Sequence, residues 1–374
     1  MLKETIVKKL KALHVPRKSS LPSLEKILIE NDTCETTFTT TDLDVTTTVT
    51  MVDLTSNPFI ALVDYASLVK AIDAVPKKTE VTFSVEDGKL TVHTAIGNMV
   101  LPSENRDAFP SIPEIAENTR TDYTTEIVDK LVDLSVFMAN QNEIRASLQG
   151  ICYNAERKEL VATNGHYLGI YKNVPEMFPV STIIGGSGIK PLQKLVRASE
   201  SYDKKEYAPM AIGSLRSKAE NVDTGEITDG RITYTQFSGD DWSITIRSTE
   251  GPYPNYVPII ATNDHTTISL DKKVIDNIPI KLLNQATKQI LLTATAGKVT
   301  IFGENSDDMS WNSDCGTGTY EGQVAFNANL LQDIANFVGN NPLVLEVVDY
   351  STAVKYEDAD RLALIMPVRL PDPE

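Results

Sequence analysis

The sequence is poor in the residues that build disulfide frameworks, metal sites and membrane spans. Its three cysteines, Cys34, Cys152 and Cys315, are far apart and have no CxxC spacing or adjacent histidine pair, so neither a disulfide framework nor a zinc site is predicted. No apolar run approaches the roughly 18 residues of a membrane helix. The start of the chain, Met1-Leu2-Lys3-Glu4, lacks the apolar stretch of a signal peptide. We therefore expect a cytoplasmic protein that has no metal, no cofactor and no membrane contact.

Signals of catalysis are scarce as well. The chain has four histidines and lacks the G-x-S-x-G, P-loop, H-E-x-x-H and dinucleotide-binding glycine patterns. The stretch Gly185-Gly186-Ser187-Gly188 lacks the Lys-Ser/Thr of a P-loop and is interpreted as a turn before a helix, with Ser187 as the N-cap. Two carboxylate pairs, Asp42/Asp44 and Asp307/Asp308, fit solvated loops better than a cation site. The sequence predicts no enzymatic activity and no catalytic residue.

What the sequence does contain is a recurring helical pattern. Apolar residues at helical spacing form six stripes that begin about every 60 residues, the fifth being late and interrupted by Pro279. The stripes comprise Leu2, Ile6, Leu10 and Leu13; Tyr65, Leu68, Ile72 and Val75; Ile127, Leu131, Leu134 and Met138; Ile189, Leu192 and Val196; Val274, Ile275 and Leu282; and Leu330, Leu331, Ile334 and Phe337.

Between the helices, apolar and polar residues alternate with the period of a half-buried strand, as they do from Leu43 to Met51. Three hairpins are predicted, across Asp87-Gly88, Gly239-Asp240 and Gly297, in equivalent places of the repeat. The predicted fold class is α+β, with three similar domains of two helices packed on antiparallel sheet. The predicted domains are residues 1–120, 121–260 and 261–374.

Charge is distributed unevenly over this pattern. The whole chain carries −16, but the six helical stretches together carry +8, which leaves −24 on the remainder. If the helices share one face, that face attracts phosphate while the outside repels it. Solvated helix faces would have the same composition, and the third and sixth stretches are acidic.

Six short motifs carry a resemblance to a known family. They are residues 41–44 (TDLD), 145–150 (RASLQG), 161–168 (VATNGHYL), 250–256 (EGPYPNY), 326–328 (FNA) and 366–370 (MPVRL). In this order and spacing they resemble the bacterial DNA polymerase III beta subunit, the sliding clamp, over essentially the whole chain. The resemblance implies a DNA clamp fold in which two subunits close head to tail into a ring around duplex DNA, without base recognition. It also implies that DNA polymerase, clamp loader and repair proteins dock a short peptide motif into a cleft between the second and third domains.

The resemblance assigns three sets of residues. The cleft set is Leu148, Thr163, Gly165, His166, Tyr167, Leu168, Pro254, Ile259, Asn327, Leu330, Leu364, Ile365, Met366, Pro367, Val368 and Arg369. The DNA-facing set is Lys8, Lys9, Lys11, Arg17, Lys18, Lys70, Lys77, Lys78, Asn142, Arg145, Lys190, Lys194, Arg197, Lys272 and Lys273. The homodimer interface is expected at an edge strand that contains Met99 and Leu101, since pairing protects such an edge.

The sequence departs from the family pattern at four places. Some relatives have arginine at the position of Tyr167, and some have template-contacting aromatic residues at the positions of Ala146 and Ser147. The first helix is expected almost at Met1, and Pro371-Asp372-Pro373-Glu374 extends beyond the usual last leucine. Two alternatives stay open. One is a β-rich structural or adaptor protein that does not encircle DNA, and the other is a clamp that does not close or that serves only a repair polymerase.

Overall fold

The computed structural model describes residues 1–16, 19–32, 34–52, 54, 57–203, 206–220, 227–260, 265–305, 307 and 309–369. The chain forms two compact units. Unit 1 comprises Met1–Val132 and Ile184–Thr249, and unit 2 comprises Asp133–Ile183 and Glu250–Glu374. No helix of the described ranges combines the length and the apolar character needed to cross a membrane.

One order of elements occurs three times along the chain: a helix, four strands, a second helix and three strands. The first repeat is α1 (Lys3–Ala12), β1 (Lys26–Asn31), β2 (Glu35–Thr41), β3 (Val45–Val52), β4 (Phe59–Asp64), α2 (Tyr65–Asp73), β5 (Val81–Glu86), β6 (Lys89–Thr94) and β7 (Gly97–Pro102). The second follows β8 (Thr121–Thr124) and is α3 (Glu126–Leu134), β9 (Gly150–Asn154), β10 (Glu159–Thr163), β11 (Tyr167–Tyr171), β12 (Thr182–Gly185), α4 (Ile189–Ala198), β13 (Pro209–Glu220), β14 (Ile227–Ser238) and β15 (Trp242–Arg247).

The third repeat follows a one-turn helix, α5 (Val257–Ile260), and an opening strand, β16 (Thr266–Leu270). It is α6 (Lys272–Asp276), β17 (Gln289–Thr295), β18 (Lys298–Glu304), β19 (Ser310–Gly318), β20 (Gly322–Asn327), α7 (Ala328–Val338), β21 (Leu343–Val347), β22 (Val354–Glu357) and β23 (Arg361–Ile365). In proteins with such repeats, each repeat forms one supersecondary unit and buries its apolar face against the neighbouring repeat.

Unit 1 contains an antiparallel sheet with the strand order β4-β1-β2-β3-β15-β14-β13-β8 and a separate sheet β5-β6-β7. Strand β3 of the first repeat pairs with β15 of the second, with Val49 opposite Trp242. The core contains the apolar stripes of α1, α2 and α4, whose residues Ile6, Leu68 and Leu192 are fully buried. This unit is therefore held together by a strand junction between two repeats.

Unit 2 has the same kind of junction. Strand β11 of the second repeat pairs with β23 of the third, with Leu168 opposite Leu364. The antiparallel sheet continues in the order β9-β10-β11-β23-β22-β21-β16-β19-β18-β17-β20. Both units thus join the third strand of one repeat to the last strand of the next.

The predicted helices and hairpins are largely confirmed. The fifth helix is the shortest of the six, because Pro279 follows α6 and removes a backbone donor. All three predicted hairpins form, but they occupy different places in the repeat, as β5–β6, β14–β15 and β17–β18. The expectation of equivalent places was therefore wrong.

Two local predictions were also wrong. Leu43 is not in a strand; it lies exposed in the β2–β3 turn with a φ of 80°. This turn is fixed by Asp42, whose Oδ1 accepts hydrogen bonds from the amides of Asp44 and Val45, while its Oδ2 lies 2.7 Å from Nε2 of His14. Ser187 does not cap α4, which begins after Gly188 without a side-chain cap.

The cysteines differ in their environments. Cys152 and Cys315 are buried and Cys34 is exposed. Burial raises the pKa of each buried thiol to about 12. Among the described residues there is no group of three or more side chains that could hold a metal ion.

Candidate functional site

The turn between β10 and β11 is built by local hydrogen bonds. Thr163 Oγ1 donates to the carbonyl of Tyr167 over 2.7 Å and accepts the amide of Gly165 over 3.1 Å. The side chain of Asn164 accepts the amide of His166 over 2.9 Å. Gly165 has a φ of +90°, a conformation that a residue with a Cβ rarely adopts. The Thr-Asn-Gly-His motif is therefore a rigid turn that presents its backbone beside strand β23.

An apolar floor lies next to this turn. Leu168 on β11 and Leu364 on β23 are opposite each other in the sheet and almost fully buried. They belong to a cluster with Val161, Cys152 and Tyr256. Leu148, which has no exposed surface, comes from the short helix before β9. Burying such side chains contributes about 1.5–3 kcal/mol each, so the floor is part of the core.

One wall comes from residues 250–260, which two tyrosines attach to β10. Tyr253 donates its hydroxyl hydrogen to the carbonyl of Val161 over 3.2 Å. Tyr256 donates to Glu159 Oε2 over 2.7 Å, and its oxygen accepts the amide hydrogen of Asn154 over 2.9 Å. Burial, followed by the Glu159 carboxylate, raises the pKa of Tyr256 above its ordinary value.

The carboxylate of Glu159 is buried but paired. Arg157 Nε lies 2.9 Å from Glu159 Oε2, and this contact raises the pKa of the guanidinium. The pairing keeps a buried charge compensated, which it must be to be tolerated in a core. The network fixes the position of Pro254 and Ile259 on the wall.

The rim carries polar side chains and one guanidinium group. Arg145 is exposed, and its Nε lies 3.0 Å from Glu143 Oε1. Hydrogen bonds from Arg145 lower the pKa of that carboxyl group. His166 is exposed beside it, and its carbonyl accepts the amide of Met366 over 2.9 Å. The rim therefore combines a guanidinium and an imidazole with a methionine side chain that is 42% exposed.

These parts enclose a cavity of about 210 Å³. It is lined by Arg145, Leu148, Thr163, Gly165, His166, Tyr167, Leu168, Pro254, Tyr256, Ile259, Ala353, Leu364 and Met366. We call this set the cleft. Sites that engulf a small-molecule ligand measure roughly 300–1,000 Å³, so the cleft is better matched to a few apolar side chains of a peptide, with polar groups at the rim to fix its register.

Six residues assigned to the cleft by sequence do not line it. Asn327 is the N-cap of α7, where its side chain accepts the amide of Asn329, and it also donates to the carbonyl of Thr287. Ile365 is fully buried, since it alternates with Leu364 along β23. Val368 pairs its backbone with Ala325. The other three residues outside the lining are Leu330, Pro367 and Arg369.

Tyr167 lines the cleft but offers it no polar group. Its hydroxyl donates to the carbonyl of Val136 and lies 3.2 Å from Asp333 Oδ2, while its ring packs on Phe137 at a centroid distance of 4.7 Å. Burial raises the pKa of both Tyr167 and Asp333. The tyrosine at this position is therefore a structural anchor of β11.

Two lining residues were not assigned from sequence. Tyr256 is the last residue of the motif at residues 250–256, and its place in that motif is a sequence signal for the cleft. Ala353 precedes β22, and a small apolar residue before a strand has no signature of binding.

The residues assigned to DNA differ in their burial and in their partners in the structure. Lys9 is 3% exposed, and its ammonium group lies 2.9 Å from Glu200 Oε1 and 3.0 Å from Asp241 Oδ2. It also donates to the carbonyl of Thr50 over 3.0 Å, so it is unavailable to phosphate and its assignment was wrong. Arg145 belongs to the cleft rim.

The remaining assignments fall into three groups. The exposed group contains Lys8, Lys11, Lys70, Lys77, Lys78, Asn142, Lys190, Lys194, Arg197 and Lys273. Lys272 is half-buried and donates to the carbonyl of Gly339. Arg17 and Lys18 lie outside the described residues, as do Leu370 and the Pro371-Asp372-Pro373-Glu374 extension.

Met99 and Leu101, assigned to a dimer interface, lie on β7 at the end of the sheet β5-β6-β7. Both are half-buried, and Val100 between them is 58% exposed. The equivalent strands of the other repeats, β15 and β23, are mostly buried because they pair on both sides.

Comparison of the sequence with known proteins gives one consistent result. Residues 2–113 match the family model described as the DNA polymerase III beta subunit, N-terminal domain. The beta sliding clamp of Pseudomonas putida is 21% identical over 372 residues, which cover 95% of each chain. The beta sliding clamp of Chlamydia pneumoniae is 24% identical and covers 98% of this chain and 96% of its own.

The fold agrees with the sequence comparison. A sliding clamp from Pseudomonas aeruginosa, whose crystal structure is described as bound to griselimycin, superposes with a TM-score of 0.83 at 19% identity over 99% of this chain and 98% of that one. A second, from Bartonella birtlesii, gives a TM-score of 0.82 at 22% identity and covers 98% of each chain. The repeat, the Thr-Asn-Gly-His turn and the cleft therefore lie in a chain that has the fold of these sliding clamps, and its residues 2–113 match the N-terminal domain of the DNA polymerase III beta subunit.

Proposed function

We propose that this protein is a sliding clamp that encircles duplex DNA and tethers the replicative DNA polymerase and other proteins that carry a short peptide motif. The observation that carries the proposal is the apolar cleft at the Thr-Asn-Gly-His turn, in a chain that has the clamp fold along almost its whole length. The proposal requires no catalysis, because the work is topological, and it places the protein in the cytoplasm with the DNA. Tethering makes a weak cleft–peptide contact effective, since the partner cannot diffuse away.

We further propose three domains, residues 1–120, 121–260 and 261–374. The threefold order of elements supports this division. Each boundary precedes the opening strand of a repeat, β8 or β16, and the stretch from 110 to 120 has no regular strand. With these boundaries the second domain contributes to both compact units. Its strands β9, β10 and β11 lie in unit 2 with strands of the third domain, and β13, β14 and β15 lie in unit 1 with strands of the first.

Ring closure follows from the strand junctions. Within the described residues, the third strand of one repeat pairs with the last strand of the next in two cases, β3 with β15 and β11 with β23. By the same rule, an intermolecular junction would use β7 and the part of β19 before Gly316, since β19 pairs with β18 along one side but with β16 only at Gly316–Gly318. Pairing β19 of one subunit with β7 of the other, in both directions, closes a head-to-tail dimer and buries the exposed side chain of Val100.

The decisive experiment measures mass by light scattering, together with retention on circular and linearised DNA after clamp-loader treatment. A dimer that stays on circles and leaves linear DNA from its ends is expected, because the ring is held by topology. A monomer, or equal retention on both DNAs, would contradict the ring and favour the non-encircling adaptor.

The cleft is tested separately with a surface substitution. Ile259 is 54% exposed and lines the cleft, whereas Ile60 is 53% exposed on β4. Ile259→Lys should weaken binding of a partner-derived peptide at least tenfold, because it puts a charge into the apolar wall beside Arg145. The matched control Ile60→Lys should leave the affinity unchanged, and equal effects of the two variants would refute the cleft assignment. Binding is measured by fluorescence anisotropy.

A further inference from the structure

The turn between β2 and β3 in unit 1 has the same construction as the Thr-Asn-Gly-His turn of the cleft. Asp42 Oδ1 accepts the amides two and three residues later, as Asn164 Oδ1 does. In each turn the preceding threonine accepts, over 3.1 Å, the amide of the residue two positions after itself. That residue has a positive φ in both turns, 80° at Leu43 and 90° at Gly165. The two turns are therefore structural duplicates.

The strand junction beside each turn is closed by the same backbone hydrogen bond. In unit 1 the carbonyl of Asp44, the residue before β3, accepts the amide of Arg247 over 2.7 Å. In unit 2 the carbonyl of His166, the residue before β11, accepts the amide of Met366 over 2.9 Å. Because one register fixes both junctions, each strand residue that lines the cleft has an equivalent in unit 1.

The short helix that supports the floor of the cleft is repeated as well. The amide of Leu24, in the short helix before β1, donates to the carbonyl of Leu21 over 3.1 Å. The amide of Leu148, in the short helix before β9, donates to the carbonyl of Arg145 over 3.0 Å. Both donating leucines are buried. Unit 1 therefore has an apolar support at the position where Leu148 lies under the cleft.

The wall of the cleft also has an equivalent. Phe109 and Ile112 pack on a buried cluster of unit 1, as Tyr253 and Tyr256 pack on a buried cluster of unit 2. In both segments a proline follows the first of these residues, and the second stands three positions after the first. Turn, junction, support and wall are thus all present twice.

The floor is where the chemistry of the two places differs. Leu168 and Leu364 are opposite each other in unit 2, and Thr46 and Thr245 are opposite each other at the equivalent place in unit 1. All four side chains are almost fully buried. The two threonine hydroxyls form hydrogen bonds of 2.8 Å and 3.1 Å with neighbouring polar side chains. Unit 1 therefore has a polar floor at the position where unit 2 has an apolar one.

Two further positions differ in size and charge. Ala353 stands one position beyond the end of the β22–β23 pairing, across from Met366. At the equivalent place in unit 1, Tyr234 on β14 is opposite Arg247 on β15. Arg247 Nη1 also lies 3.7 Å from Asp44 Oδ1. A phenol ring and a guanidinium group thus take the positions that a methyl group and a thioether occupy beside the cleft.

We propose that unit 1 carries a second docking position, built like the cleft, which Thr46, Thr245, Tyr234 and Arg247 close to apolar peptides. The inference rests on the proposed function and deepens it, because it names the residues that confine docking to unit 2. A threonine floor offers less apolar area for a peptide side chain to bury. A hydroxyl that loses water without gaining a partner opposes binding. The ring of Tyr234 occupies space that the methyl group of Ala353 leaves open.

The first test opens the position in unit 1. The full-length chain carries Thr46→Leu, Thr245→Leu, Tyr234→Ala and Arg247→Met in the Ile259→Lys background, in which the cleft itself is impaired. The labelled partner-derived peptide that binds the parent cleft should bind this variant at least tenfold more tightly than Ile259→Lys alone. Without Ile259→Lys, the same four changes should raise the stoichiometry in calorimetry from one peptide per chain to two. A variant that folds, as judged by its unfolding curve, but gains no binding would overturn the inference.

The second test closes the cleft from the equivalent position and does not depend on the folding of the fourfold variant. Ala353→Tyr places in unit 2 the residue type that stands in unit 1. It should weaken binding of the same peptide at least tenfold, because the ring fills part of a cavity of about 210 Å³. The matched control Ala353→Ser keeps a small side chain and should bind within twofold of the parent. Equal affinities of the tyrosine and serine variants would also overturn the inference.

Failure of this inference differs from failure of the proposed function. If the parent binds the peptide and the folded fourfold variant gains no site, the cleft assignment stands and only the second docking position is refuted. If the parent itself binds no peptide, the proposed function loses its cleft, whatever the variants show.

Discussion

Lysines on two neighbouring helices of unit 1 are used in opposite ways. Lys9 on α1 is buried and contacts three oxygen atoms, from Thr50, Glu200 and Asp241. Lys194 on α4 is exposed and has no ion-pair partner within the described ranges. The same residue type thus holds α1 in place at one position and offers charge to solvent at the other. The difference teaches that burial and partners decide the role of a lysine, whereas a sum of charges along a helix does not.

The largest expected effect on stability comes from removing the buried ammonium group of Lys9. Lys9→Met preserves the length of the side chain but leaves the carboxylate of Asp241 without its cation. Removing one partner of a buried ion pair costs about 3–5 kcal/mol, so the free energy of unfolding in urea should fall by about that amount. The neighbouring Lys8→Met should change it by less than about 0.5 kcal/mol. Similar values for the two variants would remove the contrast between buried and exposed lysine.

A second substitution tests the cause of that loss. Asp241→Asn in the Lys9→Met background removes the uncompensated charge and should restore part of the stability. A double-mutant cycle should give a coupling energy of about 0.5–3 kcal/mol, the range for residues in contact. Strict additivity would mean that the loss in Lys9→Met arises from packing alone.

The difference in stability between the parent and Lys9→Met should depend on pH. Burial raises the pKa of Asp241, but hydrogen bonds from Ser199 and Lys9 outweigh burial and bring it below the ordinary 3.8. A carboxylate whose pKa is lowered on folding stabilises the protein above its unfolded-state pKa and loses that contribution as the pH falls through its folded-state value. The stability gap between the parent and Lys9→Met should therefore be constant near neutrality and narrow below about pH 3.8. A gap that is unchanged at pH 3 would contradict the pairing.

The smallest expected effect on stability is that of replacing the exposed Lys194 alone. Lys194→Gln should leave the unfolding free energy within about 0.5 kcal/mol of the parent, while the salt slope of duplex binding falls by about 0.9. Lys9→Met should leave the salt slope unchanged, as measured by anisotropy. An equal change of slope in both variants would mean that the buried lysine contacts DNA after all.

The elements were predictable where local physics determines them. Apolar stripes located α1, α2, α3, α4 and α7. The Thr-Asn-Gly-His motif was singled out only through the family resemblance, and the short-range hydrogen bonds that form a turn there were not predicted. The floor residues Leu148 and Leu364 were assigned through the family resemblance, since an apolar residue by itself does not distinguish a cleft from a core.

The errors have identifiable physical reasons. The burial of Lys9 depends on Glu200 and Asp241, which are distant in sequence, so no helical pattern could predict it. Asn327 stands directly before a helix, where asparagine is a favoured N-cap, so its local sequence predicts the capping role that the structure shows. The register at β23 decides that Leu364 faces the cleft and Ile365 does not, and only strand pairing fixes that register.

The distribution of thiols gives this protein a natural position for labelling. Cys152 and Cys315 are buried, and their raised pKa keeps them as unreactive thiols at neutral pH. A maleimide dye should therefore react at Cys34 alone, without any engineered cysteine. If the proposed ring forms, a donor dye on Cys34 of one subunit and an acceptor dye on Cys34 of the other would report its opening and closing through the transfer of excitation energy.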